Sequence, residues 1–226
     1  LDPSLINVAR LGNGFSSTQI GIGDNLLTKD WVESLVRLNK CFVVPRSGSL
    51  REKLANSKLV GAYIRHVINN GTSVWLAQRE GRAKNGEDLT SPALIRMLIS
   101  DRGKEGWESL NVCPVSISYE WDPCDALKVR ELLITDRDGA YEKSPGEDEM
   151  SMALGLSEMK GDVHLHFCNP LTWIEKEGER TEKVLATKVD EAVFRGYKIF
   201  PNQIIASRHL GHDIPELISI SEEDSD

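Results

Sequence analysis

Residues 74–86 read VWLAQREGRAKNG, an apolar, strand-like run that opens into a turn rich in glycine and cations. The strand pattern ends at about Ala77, and the turn that follows carries three cationic side chains: Arg79, Arg82 and Lys84. Ligands of α/β proteins bind beyond the carboxyl ends of strands, so this turn has the position of a binding site. An arginine fork suits a pair of phosphate oxygens, and Gly81 permits close backbone approach to a ligand. A solvated charged loop is the alternative interpretation.

Four more apolar runs bounded by turn signals predict strands, in addition to Val74–Ala77: Thr18–Ile22, Cys41–Val44, Val112–Ile117 and Val163–Phe167. Several of these runs are apolar on consecutive residues, which is typical of strands covered on both faces. Helical patterns fill the gaps between the strands. The alternation predicts an α/β fold with a mostly parallel central sheet flanked by helices.

Caps and apolar periodicity predict the intervening helices. Ser49 and Glu52 form a capping-box pattern, followed by an apolar stripe of Leu50, Leu54, Gly61, Ile64 and Ile68. Three further helices are predicted: Ala93–Ile99 after Ser91-Pro92, Leu127–Leu133 after Asp122-Pro123, and one from about Thr181. The polar residues 136–149 predict a surface loop or insertion.

Composition limits the classes of protein to which the chain can belong. A length of 226 residues with 40% hydrophobic residues predicts one packed domain over residues 1–220, followed by a disordered acidic tail at 221–226. The net charge of -8 argues against broad nucleic-acid binding. No apolar run reaches the roughly 18–20 residues of a membrane span. The four cysteines form no CxxC pair, which favours free thiols and a reducing compartment.

A second strand also ends in a cation. Residues 42–46 read FVVPR, and Arg46 stands just before the capped helix that begins after Ser49. An anion at this point would meet both the guanidinium group and the positive helix N-terminus. Two strand ends that each deliver an arginine fit a single anionic ligand.

These motifs resemble those of the glycerolipid acyltransferase family, which includes 1-acylglycerol-3-phosphate and glycerol-3-phosphate acyltransferases. The family has four blocks: HxxxxD, a strand ending in arginine, a Glu-Gly loop followed by arginine, and a strand containing proline. Phe42–Arg46 is similar to the second block, Glu80-Gly81-Arg82 to the third, and Val112–Ile117 with Pro114 to the fourth. The similarity covers roughly Leu1–Ser118, and for one bacterial subgroup it continues to about His166.

The resemblance implies transfer of a fatty acyl group from acyl-CoA or acyl-carrier protein to a hydroxyl of a lysophospholipid or glycerol phosphate. In that interpretation Arg46 and Arg82 hold the acceptor phosphate, with Gly81 and Lys84 in the same loop. Glu80 orders the loop or contacts the acceptor, and Pro114 is structural. The thioester is a co-substrate, and neither a cofactor nor a metal is expected. The implied location is cytoplasmic, in peripheral contact with the inner face of the membrane.

The first block is the main departure from the family. None of the five histidines is followed by an aspartate five positions later. Residues 1–5, LDPSL, resemble the stretch that ends or follows the first block. We therefore expect the catalytic histidine to lie a few residues upstream of Leu1, with Asp2 as its possible partner.

Other interpretations remain open at this stage. A catalytically silent lipid- or anion-binding module of the same fold is the main alternative. An α/β hydrolase is disfavoured because the sequence contains no GxSxG nucleophile elbow. His164 and His166 lie two positions apart on a predicted strand, which is compatible with a metal pair, but the sequence suggests no third ligand.

The two arginines give a kinetic prediction. In an enzyme that includes the expected upstream histidine, Arg46→Ala or Arg82→Ala should raise the KM for lysophosphatidate about tenfold or more. The reason is that a hydrogen bond to a charged group contributes about 1.5–3 kcal/mol. Steady-state kinetics measure this, and an unchanged KM in both variants would remove the phosphate-binding assignment.

Overall fold

The computed structural model of the protein describes residues 2–24, 38–45, 47–79, 84–87, 89–99 and 102–212. Within these ranges the chain forms an α/β structure of eight helices and five strands. The strands are β1 Gln19–Gly23, β2 Cys41–Val44, β3 Val74–Leu76, β4 Val115–Tyr119 and β5 Val163–Phe167. The helices are α1 Asp2–Gly12, α2 Leu50–Asn69, α3 Pro92–Ile99, α4 Gly103–Leu110, α5 Asp125–Asp138, α6 Glu147–Ser157, α7 Thr181–Arg195 and α8 Pro201–His209.

The first three strands form a parallel sheet in the order β2-β1-β3. The parallel arrangement predicted from the alternation of strands and helices is confirmed for this sheet. Helix α2 connects β2 to β3, which lie on opposite sides of the central strand. All three carboxyl ends therefore meet at one edge of the sheet.

The remaining two strands pair with each other and run antiparallel, so the described strands form two sheets rather than one. All five predicted strands are present, but β4 starts later than predicted, after the buried Pro114. Proline has no N–H to donate to a ladder, so it precedes the paired residues. Apolar periodicity locates a strand but does not fix its direction or partner, which explains why the separate pair was not anticipated.

The chain divides into two compact units. The first comprises Leu1–Pro114 and Asn169–Ala192, and the second comprises Val115–Cys168 and Val193–Asp226. The single domain expected over residues 1–220 stays a prediction. The acidic tail, 221–226, lies outside the described residues.

A glycine at the centre of the parallel sheet permits close side-chain packing. In the strand register Gly21 of β1 lies opposite Phe42 of β2 and Leu76 of β3. A Cβ atom at Gly21 would lie 3.0 Å from Cζ of Phe42 and would also collide with the Leu76 side chain. The neighbouring side chains therefore occupy the space over the central strand that any other residue would fill.

Helix α2 begins as the sequence predicts. The Glu52 carboxylate accepts hydrogen bonds from the Ser49 backbone N–H and hydroxyl, both 2.7 Å long. The Glu52 backbone N–H donates to Ser49 Oγ at 3.4 Å, which completes the capping box. The hydrogen bond from the Ser49 side chain lowers the pKa of Glu52 below its ordinary value, and the bond from the Ser49 backbone N–H adds a smaller effect in the same direction.

The apolar stripe of α2 is only partly buried. Gly61 and Ile64 are buried as expected, together with Val60 and Val67. The expectation is wrong for Leu50 and Leu54, which are 87% and 58% exposed. The helix has 20 residues, about 30 Å, whereas strands of three to five residues extend about 10–17 Å. The described strands are too short to cover its first two turns.

Helices α3, α4 and α7 complete the core of the first unit, which includes four of the largest fully buried side chains: Ile64, Ile95, Trp107 and Leu185. Trp107 donates its indole N–H to the Leu171 carbonyl at 2.8 Å. The Asp190 carboxylate on α7 accepts a 2.7 Å hydrogen bond from the backbone N–H of Thr90. This bond fixes the chain just before α3.

The second unit contains β4, β5, α5, α6 and α8. Helix α5 extends to Asp138 and α6 begins at Glu147, so the loop predicted at 136–149 is shortened to residues 139–146. None of the helices in the described part of the chain is long and apolar enough to cross a membrane.

Gly61 supplies a prediction about the packing of α2 on α3. A Cβ atom at this position would lie 2.5 Å from the carbonyl oxygen of Met97. We expect Gly61→Ala to lower the free energy of unfolding by about 1–2 kcal/mol. Overpacking costs about 1–3 kcal/mol, whereas the helix-propensity gain is only about 1 kcal/mol. Urea denaturation measures the change, with the exposed Ala62→Ser as control. A Gly61→Ala variant as stable as wild type would contradict the close approach.

Glu182 supplies a pH prediction. Its carboxylate accepts a hydrogen bond from its own backbone N–H and others from Arg180 and Arg96, and its pKa falls from 4.5 to about 2. As the pH falls, the Glu182 carboxylate is protonated at a higher pH in the unfolded chain than in the folded protein. The contribution of Glu182 to the free energy of unfolding is therefore complete above about pH 5 and is lost toward pH 2. Urea denaturation at several pH values should show that the difference in free energy of unfolding between wild type and Glu182→Gln decreases over that range. A constant gap would refute the assignment.

Candidate functional site

The carboxyl edge of the parallel sheet collects the polar turns of the first unit. Strand β1 leads into Asp24, β2 into Pro45 and Ser47, and β3 into Gln78 and Arg79. The register places Gly23 opposite Val44, so the turns after β1 and β2 start side by side. The edge predicted for ligand binding is therefore where polar side chains converge.

A hydrogen bond links the first two turns. The Asp24 carboxylate accepts a 3.1 Å hydrogen bond from the Ser47 hydroxyl, and the Ser47 backbone N–H approaches the same oxygen at 3.5 Å. Ser47 lies two residues before the cap of α2. The contact fixes the start of the β2–α2 connection against the end of the central strand.

The cation-rich turn after β3 is closed at its base. The carbonyl of Gln78 accepts a 2.9 Å hydrogen bond from the Ser91 N–H, and the Gln78 side-chain oxygen lies 3.5 Å from the Thr90 hydroxyl. The bond from Thr90 to Asp190 extends this anchor to α7. The described ends of this segment are thus held together beside the sheet edge, with Arg79 directly after Gln78.

Arg79 differs from the other half-buried arginines of the described residues. Arg10 donates to the Ser16 carbonyl and the Ser73 hydroxyl, and Arg65 donates to the Leu98 carbonyl. The Nε atom of Arg79 is buried and has no hydrogen-bond partner among the residues that the structure describes. Burying a charged donor without a partner is costly, and an anionic ligand that accepted a hydrogen bond from this Nε would remove that cost.

Four of the predicted site residues, Arg46, Glu80, Gly81 and Arg82, lie outside the described residues. Their convergence on one pocket stays a prediction. Lys84 is half-buried where the described chain resumes.

The other two predicted residues lie in ordinary structural positions. Asp2 is exposed in the first turn of α1. Farther along that helix, Asn7 accepts a hydrogen bond from Thr18, just before β1, and Arg10 donates one to Ser73, just before β3. Pro114 is buried just before β4, and its structural role stays a prediction.

An apolar groove of about 310 Å³ lies between β2 and α2. Its volume is within the usual range for small-molecule pockets, roughly 300–1,000 Å³. The lining is aliphatic or aromatic except for one amide, and it comprises Phe42, Val43, Pro45, Asn56, Leu59, Val60 and Tyr63. Because Pro45 directly follows β2, the groove reaches the same sheet edge as the polar turns.

Two aromatic rings form part of this groove. The ring centroids of Phe42 and Tyr63 are 5.1 Å apart at an interplanar angle of 57°. The Tyr63 hydroxyl donates a 2.7 Å hydrogen bond to the Gln19 side chain on β1. The phenol is therefore fixed at its polar end, while its ring remains available to an apolar ligand.

Sequence reasoning identified the cationic turn but missed Asp24, Ser47 and the groove. The groove is formed by positions 56, 59, 60 and 63, which share one stripe of α2, and this i, i+3, i+4, i+7 spacing is visible in the sequence. The sequence does not show that β2 is the strand facing this stripe. The Asp24–Ser47 contact joins residues 23 positions apart and has no local signal.

The described part of the chain contains no cluster of three or more potential metal ligands. None of the five histidines belongs to the turns at the sheet edge: they lie at His66, His164, His166, His209 and His212.

No model of a known protein family matches the chain, and no curated protein sequence shows a significant match to it. The resemblance to glycerolipid acyltransferases therefore depends on the sequence motifs alone.

Proposed function

We propose that the protein is an acyltransferase that moves a fatty acyl group from acyl-CoA or acyl-carrier protein to a hydroxyl of a glycerophosphate-type lipid acceptor. This would be a step of phospholipid biosynthesis at the cytoplasmic face of a membrane, with the protein in peripheral contact. The chemistry requires neither a cofactor nor a metal.

The observation that carries the proposal is the adjacency of two different environments at one sheet edge. Polar and cationic turns follow β1, β2 and β3, and the apolar groove between β2 and α2 reaches the same edge at Pro45. A lipid with an anionic headgroup and an acyl chain requires a polar site and an apolar groove that are close enough for one molecule to reach both. A free nucleotide would not account for a groove lined almost wholly by carbon.

The cations would fix the acceptor. Arg46, Arg82 and Lys84 would hold its phosphate, and the unsatisfied Nε of Arg79 supports a site with room for negative charge. A fixed phosphate positions the acceptor hydroxyl against the thioester carbonyl, and such orientation lowers a barrier by roughly 7–11 kcal/mol. The acyl chain would occupy the groove beside Phe42 and Tyr63.

The reaction requires a base. The acceptor hydroxyl attacks the thioester carbon, a C–O bond forms and the C–S bond breaks. The hydroxyl proton passes to the base and then from the base to the departing thiolate, so the donor leaves as a thiol. In this proposal the base is the histidine of an HxxxxD pair, which the 226 residues do not contain. Asp2 would orient its imidazole.

The apolar groove also fits one second candidate, a lipid-binding module of the same fold that does not catalyse acyl transfer. The two candidates separate in an assay with acyl-CoA and lysophosphatidate. Turnover that appears only when an upstream segment carrying HxxxxD is present supports the enzyme. Ligand binding with no turnover in either form supports the module. Equal and substantial turnover without the segment would defeat the assignment of the base.

The groove gives a prediction that does not depend on catalysis. Leu59 lines the groove and is 69% exposed, whereas Leu54 lies outside it on the same helix and is 58% exposed. We expect Leu59→Glu to weaken binding of palmitoyl-CoA to the 226-residue chain by tenfold or more. Losing the burial of one leucine costs about 1.5–3 kcal/mol, and tenfold corresponds to about 1.4 kcal/mol.

Isothermal titration calorimetry measures this effect, with Leu54→Glu as the matched control and CoA without an acyl chain as the second ligand. The control variant should bind within about twofold of wild type. Equal losses in the two variants, or no loss in Leu59→Glu, would show that the groove does not hold the acyl chain.

A further inference from the structure

The second unit presents two histidines side by side on a rigid strand pair. The antiparallel register places His166 of β5 opposite Ser116 of β4, and His164 opposite Ser118. These four residues therefore share one face of the two-stranded sheet, because alternate residues of a strand point to the same side. The face is polar throughout.

The serines of this face are already engaged. The buried Ser116 donates its hydroxyl to the Val193 carbonyl at 2.6 Å, and Ser118 Oγ accepts a 2.9 Å hydrogen bond from the Lys198 N–H. Both contacts tie the sheet to the end of α7 and the segment that follows. These hydrogen bonds hold the strands in place and do not involve the imidazole nitrogens.

The two imidazole rings are parallel neighbours. Their centroids are 6.4 Å apart and their planes differ by 18°. His164 is half-buried and His166 is exposed. Neither ring has a hydrogen bond or ion pair within the described ranges, so the ring nitrogens remain available to a ligand.

Gly196 provides the space for the second ring. A Cβ atom at Gly196 would lie 2.6 Å from Cδ2 of His166 and 3.1 Å from its Cγ. The backbone at the end of α7 therefore packs directly on the imidazole and restricts its orientation. A ring that is restrained on one side and open on the other is well suited to act as a ligand.

We propose that His164 and His166 form a two-imidazole chelate for a divalent transition-metal ion, with Cu²⁺ bound most tightly. Metal–imidazole bonds are about 2.0–2.1 Å long, so two nitrogens on one ion lie roughly 3 Å apart. The chelate therefore requires a rotation about the side-chain torsions, chiefly those of His164, that brings one nitrogen of each ring to that separation. Water completes the coordination.

The ion preferred by the site follows from its chemistry. Imidazole is a suitable ligand for zinc, copper and nickel, and affinity of a given site rises toward Cu²⁺ in the Irving–Williams order. Structural zinc sites are almost always four-coordinate through protein ligands. Two histidines without a further protein ligand among the described residues therefore favour Cu²⁺, then Ni²⁺. The chelate does not depend on the proposed acyl transfer.

Calorimetric titration of the 226-residue chain with CuSO₄ and, separately, NiCl₂ tests the chelate. One ion per chain should bind at this face, and His164→Gln or His166→Gln should each lower the Cu²⁺ affinity by tenfold or more. The double variant His209→Gln/His212→Gln, which removes the other close pair in the sequence, is the matched control and should retain this binding. Because His166 is exposed, His166→Gln should leave the fold intact, and circular dichroism checks this.

A spectroscopic measurement makes the assignment independent of affinity. The electron paramagnetic resonance spectrum of the Cu²⁺ complex should show coupling to two imidazole nitrogens in wild type and to one in His166→Gln. Unchanged Cu²⁺ affinity in both single variants, or loss of binding only in the control, would overturn the proposal.

Discussion

The missing side chain at Gly21 is the constraint on which the architecture of the first unit depends. This residue occupies the centre of the central strand, and Phe42 and Leu76 close over it from either side. With Phe42 in that position, its ring reaches Tyr63 on α2 and forms part of the groove. A larger residue at Gly21 would displace both neighbours, so one missing Cβ connects sheet packing to the shape of the candidate site.

The candidate site also depends on the parallel direction of the three strands. Parallel pairing sends every carboxyl end to the same edge, so turns that are distant in sequence become neighbours. Asp24 and Ser47 are joined there by a hydrogen bond, and the bonds of Gln78 to Thr90 and Ser91 close the cationic loop. The edge combines fixed polar anchors with Arg79, whose Nε has no hydrogen-bond partner in the described part of the chain. Polar anchoring beside an apolar groove is the arrangement that an amphipathic ligand requires.

Local features of the fold could be predicted from the sequence because local chemistry decides them. The Ser49–Glu52 capping box and the Pro92 start of α3 depend on residues within one helical turn. The exposed Leu50 and the antiparallel pairing of β4 with β5 could not be predicted, since both depend on what lies nearby in space. The same holds for the groove, which requires knowledge that β2 faces one particular stripe of α2. The arginine motif drew attention to the carboxyl edge of the parallel sheet, and both the site at that edge and the convergence of Arg46 and Arg82 stay predictions.

The central claim is that one lipid ligand spans the polar edge and the groove of the first unit. The most direct test is a titration of isotope-labelled protein with monomeric lysophosphatidate, followed by backbone amide shifts in NMR. The account predicts saturable shifts concentrated in the turns after β1, β2 and β3 and along residues 56–63 of α2. Shifts confined to the second unit, or changes that never saturate, would contradict it.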